Sequence, residues 1–172
     1  MTICCINEDA LDVVYAHCAR ATRGRTREEA ALLYGLPCID RGFNPFTWIW
    51  LAVPAVTTAS ATHVEIREES FLEAEERVAS PEASVLGRRP ILVGWAHSHP
   101  FDGPGSVFMS GTDRETMRLR FPRDHHVGLV LDPKSGHWGV FGWVDRQVAP
   151  VAARVVRDPD WKRHFWCAEV AP

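Results

Sequence analysis

The sequence predicts a mixed α/β domain in which a mostly antiparallel sheet is flanked by helices. Three observations predict it: short aliphatic and aromatic runs with strand character, segments with apolar residues at helical spacing, and Pro/Gly/Asp punctuation between them. At 172 residues the chain is read as one domain, 1–172, large enough to bury a core without staples.

The elements follow in order. Residues 7–20 set Leu11, Val14, Tyr15 and Cys18 three and four positions apart, the spacing of an amphipathic helix. A polar cluster, 20–29, leads into Ala30-Ala31-Leu32-Leu33-Tyr34-Gly35, a short buried strand ended by glycine and proline. Residues 46–53 are apolar on both alternating faces, as a central strand is. Residues 62–67 alternate His63, Glu65 and Arg67 against Thr62, Val64 and Ile66, so one face meets water. Residues 68–79 carry Glu and Ala with Phe71, Leu72 and Val78, and read as a helix; 81–89 read as a loop. Residues 90–97, with Ile91, Leu92, Val93 and Trp95, form another buried strand, and 100–107 are a loop dense in Gly and Pro. A short helix over 112–120 is stopped by Pro122. Strands at 126–131 and 138–144 are joined by the turn Asp132-Pro133-Lys134-Ser135-Gly136. The tail after Val151 adds one more strand or helix.

Composition narrows the partners. With a net charge of −3 and no Lys/Arg block, the chain lacks the basic face that nucleic acid requires. Glu8 and Asp9 stand where a secretory signal would need an apolar run. The longest apolar stretch, 46–56, is broken by Pro54 and falls short of the ~20 residues that span a bilayer. No nucleic-acid or membrane partner is expected, and the expected location is cytoplasmic. The cysteines (Cys4, Cys5, Cys18, Cys38, Cys167) are odd in number and show no CxxC spacing, which argues against a disulfide framework and a cysteine-rich zinc site.

The chemistry gathers in Gly94-Trp95-Ala96-His97-Ser98-His99-Pro100, followed by Ser110-Gly111-Thr112-Asp113. Two histidines at i and i+2 on a strand project from one face, so their nitrogens can converge on one ion. A carboxylate from the next element makes three protein ligands and leaves a position for water, the pattern of a catalytic zinc site. HxH pairs are common and usually carry no metal. Ser110 and Asp113 also fit a helix start, as N-cap and third residue of the first turn. The conjunction HxHP, Gly/Pro loop, SxxD is far rarer than either part.

That conjunction resembles the signature of the JAMM (MPN-plus, JAB) metalloproteases in their prokaryotic stand-alone form. Glu28-Glu29-Ala30-Ala31-Leu32-Leu33-Tyr34-Gly35 is similar to the family's glutamate preceding an apolar strand that ends in glycine, and Val127-Gly128-Leu129-Val130-Leu131-Asp132-Pro133 to a later strand and turn. The resemblance spans about 9–144. It implies an MPN (JAB/MPN, cytidine-deaminase-like) fold and a zinc isopeptidase that cleaves after the carboxyl-terminal glycine of a ubiquitin-like protein. By position, His97, His99 and Asp113 would ligate Zn2+, Glu28 would shuttle the proton of the attacking water, and Ser110 would stabilise the oxyanion. It further implies a ubiquitin-like partner with a Gly-Gly tail, and activating- and conjugating-enzyme-like partners from bacterial operons, including antiphage ones. The competing functions are trimming of a sulfur-carrier protein, a metal-free MPN-minus scaffold, and a small-molecule metallohydrolase in which His63 adds a ligand.

Two departures stand out. The stretch 100–109 is three residues longer than the family's spacing, which places Phe101-Asp102-Gly103-Pro104-Gly105-Ser106 at the mouth of the site, as a substrate contact or a tolerated insertion. Glu29 adjoins Glu28, and a one-residue slip would exchange them. Other residues read as structural. Phe43, Phe46, Trp48 and Trp50 are core more than docking surface, His125-His126 sits at a strand entrance, His17-Cys18 does not form a nucleophile pair, and Asp132-Pro133 is turn chemistry. An extended substrate tail is expected to lie along the sheet edge beside 90–97 or beside the long loop.

Overall fold

The computed structural model describes residues 3–21, 27–40, 42, 44–60, 64–157 and 165–166. The readings that involved Arg25, Phe43, Thr62, His63 and Cys167 lie outside them. The described elements are β1 (Ile3–Asn7), α1 (Glu8–Ala21), β2 (Ala30–Asp40), β3 (Pro45–Pro54), β4 (Thr57–Ala59), β5 (Val64–Ile66), α2 (Glu68–Val78), β6 (Ile91–Ser98), α3 (Gly111–Arg120), β7 (Val127–Leu131), β8 (Trp138–Val144), β9 (Gln147–Val156) and β10 (Phe165–Trp166).

Strands β2, β3, β1, β9, β8, β7 and β6 are hydrogen-bonded neighbours in that order, and β6 pairs back onto β2. The sheet therefore closes as a seven-stranded barrel, with β10 added outside on β2 and a separate β4–β5 ribbon. This corrects the expected MPN (JAB/MPN, cytidine-deaminase-like) fold: the chain is mostly sheet and closed on itself, where that fold is a sheet sandwiched by helices. The closure depends on β1, which sequence reading did not place, and on β9, which it gave only as one more strand or helix after Val151. β1 is only five residues long and runs straight into α1, yet it lies between β3 and β9, parallel to both. β9 returns from β8 through Asp145-Arg146, both at positive φ (48° and 63°). That is the geometry of a two-residue hairpin turn without its usual Asn-Gly signal.

The closing seam is antiparallel and runs from Ala30 opposite His97 to Gly35 opposite Ile91. Two glycines let backbones approach where a side chain would not fit. A Cβ on Gly35 would meet the Trp48 carbonyl oxygen at 1.7 Å, and one on Gly94 (φ 158°) would meet that of Val127 at 1.9 Å. The expected strand stop at Gly35 and Pro37 does not occur. Pro37 falls between the stretches of β2 paired by β6 and by β10, so among the described residues no partner on that flank needs its missing N–H.

One buried cluster draws on the barrel strands from all round: Ile6, Leu33, Ile49, Val93, Leu129 and Val140, with Val151 packed against it. It is the barrel interior, and α1 presents Ala10, Val14 and Cys18 to it at four-residue spacing. A second cluster, on the outer face, joins Leu32, Tyr34, Trp95 and Val130 to Ala74 and Val78 of α2 and Met117 of α3. Phe46 and Trp48 are buried in a third, as core aromatics. Cys4, Cys5 and Cys18 are free and buried. Burial pushes the Cys5 thiol up to about 11 and that of Cys18 to about 12, which leaves them inert as nucleophiles at neutral pH. Cys38 is disulfide-bonded, a bridge that the cysteine spacing did not predict. No helix among the described residues is long and apolar enough to cross a membrane.

Candidate metal centre

The end of β6 carries the two histidines. Alternate residues of a strand share a face, so Trp95, His97 and His99 look outward toward α3. The His97 ring is fully buried and stacked on Trp95, with centroids 4.3 Å apart and planes 11° from parallel. His97 Nε2 and His99 Nε2 face each other at 3.1 Å.

The third member comes from the first turn of α3. Ser110 is the N-cap: its hydroxyl accepts from the Asp113 N–H at 3.2 Å, and Asp113 Oδ2 accepts from the Ser110 N–H at 2.7 Å. This is a reciprocal capping box. The same carboxylate reaches the histidines, with Oδ1 3.3 Å from His97 Nε2 and Oδ2 3.6 Å from His99 Nε2. Capping and ligand roles, opposed in the sequence reading, coexist. The cap orients the carboxylate that the histidines need.

Four ligands about 2.0 Å from a tetrahedral ion stand about 3.3 Å from one another. The two Nε2 atoms, 3.1 Å apart, and Asp113 Oδ1, 3.3 Å from His97 Nε2, are near that spacing, while the 3.6 Å contact to His99 Nε2 is made by the other oxygen, Oδ2. Among the described residues, His97, His99 and Asp113 are the one group of three or more such side chains placed to hold a metal ion. Protonation divides the two histidines. Burial lowers the pKa of His97 despite Asp113 beside it, which keeps the ring neutral. Burial also pulls His99 down, but Asp113, the Ser106 carbonyl and Glu28 outweigh it and leave its pKa raised. The Asp113 carboxyl is held far below the usual range: burial opposes this, and hydrogen bonds from both histidines override it. Two imidazoles and an ionised carboxylate with converging lone pairs are a fit donor set for a divalent cation. His97 Nδ1 is buried and has no hydrogen-bond partner among the described residues, so no bond there fixes the tautomer of the ring.

Glu28 precedes β2 and is buried. Its Oε1 lies 3.8 Å from His99 Nε2. Burial raises its pKa to about 7, His99 pulling against this and Asp113 adding to it. Glu29 turns the other way. Its carboxylate is gripped by Arg27 at 3.0 Å and the Thr57 hydroxyl at 3.0 Å, with His17 at 3.7 Å. Its backbone binds Ser98 in both directions: Glu29 N–H donates to Ser98 Oγ, and Ser98 N–H to the Glu29 carbonyl, each at 3.0 Å. This extends the closing seam by one pair and sets Glu28 beside His99. Counting back from Gly35 therefore selects the carboxylate that faces the triad.

Sequence reasoning placed Phe101 to Ser106 at the mouth of the site, but it did not foresee the bond from His99 to Ser106 or the parts of Asp132 and Phe108. The Ser106 carbonyl accepts from His99 Nδ1 at 2.9 Å, so Nε2 is the lone-pair nitrogen. Asp132, read as turn chemistry, is fully buried and bonded to Ser106. Phe101 and Phe108 flank His99 with centroids 5.4 and 4.7 Å away, each more than two-fifths exposed at the mouth of the site. An aspartate after a fully apolar strand was the one available signal for Asp132. His125 and His126 stand in the turn before β7, the strand entrance expected.

Fold and site together define a seven-stranded β-barrel protein with a buried His–His–Asp group able to hold a metal ion. No protein-family model matches the chain, and no curated protein does. Among solved structures it is similar to the solution structure of protein DSY2949 from Desulfitobacterium hafniense, at 18% identity and a TM-score of 0.63, covering 90% of this chain and 94% of that one. At that identity the likeness concerns the fold alone.

Proposed function

We propose that the protein is a zinc-dependent isopeptidase or peptidase of JAMM type, cleaving after the carboxyl-terminal glycine of a ubiquitin-like protein. The resemblance lies in the site and not in the fold class. One observation carries the reading: a buried carboxylate, Glu28, stands 3.8 Å from His99 Nε2, one of the converged ligand atoms, and burial pushes its pKa up to about 7. A metal-storage or structural site has no use for such a neighbour, whereas hydrolysis needs a group that takes and returns a proton near neutral pH.

A zinc ion bound by His97, His99 and Asp113 would supply Lewis acidity toward water and the scissile carbonyl. The residues supply the rest. Glu28 accepts the proton of the attacking water and hands it to the departing amine. Ser110 uses its oxygen to cap α3, and its own O–H is left to donate to the carbonyl oxygen as charge develops there. Phe101 and Phe108 restrict approach to the metal, which suits a narrow glycine tail.

Of the two places expected for the tail, beside 90–97 or beside the long loop after His99, the first offers no room. β6 is paired by β2 along Ile91–His97 and by β7 from Gly94 to Ser98, so its histidine end offers no open edge. A groove of about 330 Å³ lies between β5 and α3, lined by Val64, Ile66, Trp95, Thr112 and Thr116, and Trp95 in its wall stacks on the His97 ring. Among the described residues β5 is paired on one side only, which leaves its other edge for an extended peptide.

The test combines zinc content with cleavage of a panel of ubiquitin-like Gly-Gly fusions by wild type and Glu28→Ala. One zinc in both proteins, with cleavage by wild type and a loss of at least about 10²-fold in kcat for Glu28→Ala, is the expected result. Zinc-loaded wild type that cleaves no fusion would refute the substrate class. Equal activity of the two proteins would refute the role of Glu28.

A further inference from the structure

The carboxylate of Asp132 is fully buried although it opens what reads as an ordinary turn. Four donors converge on it. Two belong to the turn itself: Lys134 N–H to Oδ1 at 2.9 Å and the Ser135 hydroxyl to Oδ2 at 2.7 Å. Two come from the long loop after His99: Gly103 N–H at 2.8 Å and the Ser106 hydroxyl at 3.0 Å, both to Oδ2. The Ser106 hydroxyl also lies 2.6 Å from the Gly103 carbonyl, and the Ser106 N–H donates to that carbonyl at 3.0 Å. Residues 103–106 are thus a closed turn clipped to one buried carboxylate.

The clip ends at the metal centre. The Ser106 carbonyl is the acceptor for His99 Nδ1, and the His99 backbone N–H donates to the Leu131 carbonyl at 2.8 Å. Both the main chain and the outer ring nitrogen of His99 are therefore referenced to the corner formed by Leu131 and Asp132. Outer partners of this kind set the tautomer and ring direction of a ligating histidine.

We propose that Asp132 is a positioning residue of the metal centre, acting through Gly103 and Ser106 to hold His99 with Nε2 free to ligate. The inference rests on the metal-binding reading of the site. It gives the three extra residues of the loop a use: they carry the acceptor for His99 to the one buried carboxylate that can anchor it.

The experiment measures zinc affinity of the full chain by competition with a chromogenic chelator, and the absorption bands of bound Co2+ at saturation. Asp132→Asn puts an amide where donors converge. It should weaken zinc binding about 10–100-fold and change the shape of the Co2+ bands. Ser106→Ala, which keeps the Gly103 tether, should lose affinity in the same direction by less. Ser135→Ala removes a donor to the same carboxylate on the turn side only, and should bind zinc as wild type does. Asp132→Asn binding zinc as tightly as wild type would overturn the proposal. So would Ser135→Ala weakening it equally, since Asp132 would then serve the turn alone. If Asp132→Asn does not fold, unchanged affinity in Ser106→Ala overturns the proposal by itself. Wild type that takes up no zinc removes the metal-binding reading and this inference with it, a result distinct from wild type binding while the variants match it.

Discussion

Two histidine pairs lie among the described residues, and one of them is placed, with Asp113, to hold a metal ion. His97 and His99 are separated by one residue on β6, share a face, and bring their Nε2 atoms to 3.1 Å. His125 and His126 are consecutive, and their rings meet edge to face at 4.7 Å. The first pair converges with the Asp113 carboxylate and has Glu28 alongside. The second pair is supported by backbone: Thr47 donates its hydroxyl to the His125 carbonyl, and Arg123 N–H donates to His126 Nδ1. Burial lowers the pKa of both members of the second pair, and a weak Asp124 contribution does not reverse it for His125. In the first pair burial acts on both rings as well, yet the surrounding acceptors leave His99 raised. Histidine density therefore says little. Spacing along the strand and a buried carboxylate at the right depth make the difference.

The largest effect that would break this comparison is at Asp113. Asp113→Asn keeps an acceptor for the cap but removes the charge, and the variant should lose its zinc on dialysis and all cleavage with it. Metal analysis before and after dialysis checks this, and retained stoichiometric zinc would make the two histidines sufficient by themselves. Ser110→Ala is next. It should keep zinc, lose about 10²-fold in kcat through the missing oxyanion donor, and lose roughly 1 kcal/mol of stability with the helix cap. Steady-state kinetics and denaturant unfolding read the two losses separately. A stability loss with unchanged kcat would confine Ser110 to capping.

The smallest effect sharpens the other side. The pKa of His126 is lowered to about 4, by burial first and then by His125. The unfolded chain binds this proton near 6.5 and the folded chain does not, so the stability held at neutral pH is lost as pH falls from about 6.5 toward 4. The loss is on the order of 3 kcal/mol. In His126→Gln the acid-limb loss should shrink by about this share, while zinc content and cleavage at neutral pH stay at the level of wild type. Urea unfolding at several pH values measures it. A change in zinc content would tie the second pair to the metal after all.

Much of the site was legible because its signals are local. The i and i+2 histidines, the SxxD cap and the glutamate ahead of an apolar strand each occupy a few consecutive residues, and the structure gathers them at one place. The barrel was not legible, for reasons that are specific. β1 offers only Ile3-Cys4-Cys5-Ile6-Asn7, too short for a period to show. The β8–β9 hairpin turns on Asp145-Arg146, which carries no glycine to mark its positive φ. The pairing of β2 with two partners at once depends on tertiary contacts that no window of sequence contains. Asp132 was misread for a related reason: its turn chemistry is genuine, and its second pair of donors arrives from a loop 29 residues away.

The closing seam has a kinetic consequence. It joins Glu29 to Ser98, 69 positions apart, and contacts of that separation form late because a long loop must first be closed. Glu28 and His99 flank that last pair, so a nascent or partly folded chain has every chemical group and none of the arrangement. The geometry of the candidate site thus arrives with the final native contacts. An ion bridging β6 and α3 beside the seam would then act as a latch, slowing the reopening of the chain and lengthening the lifetime of the folded state.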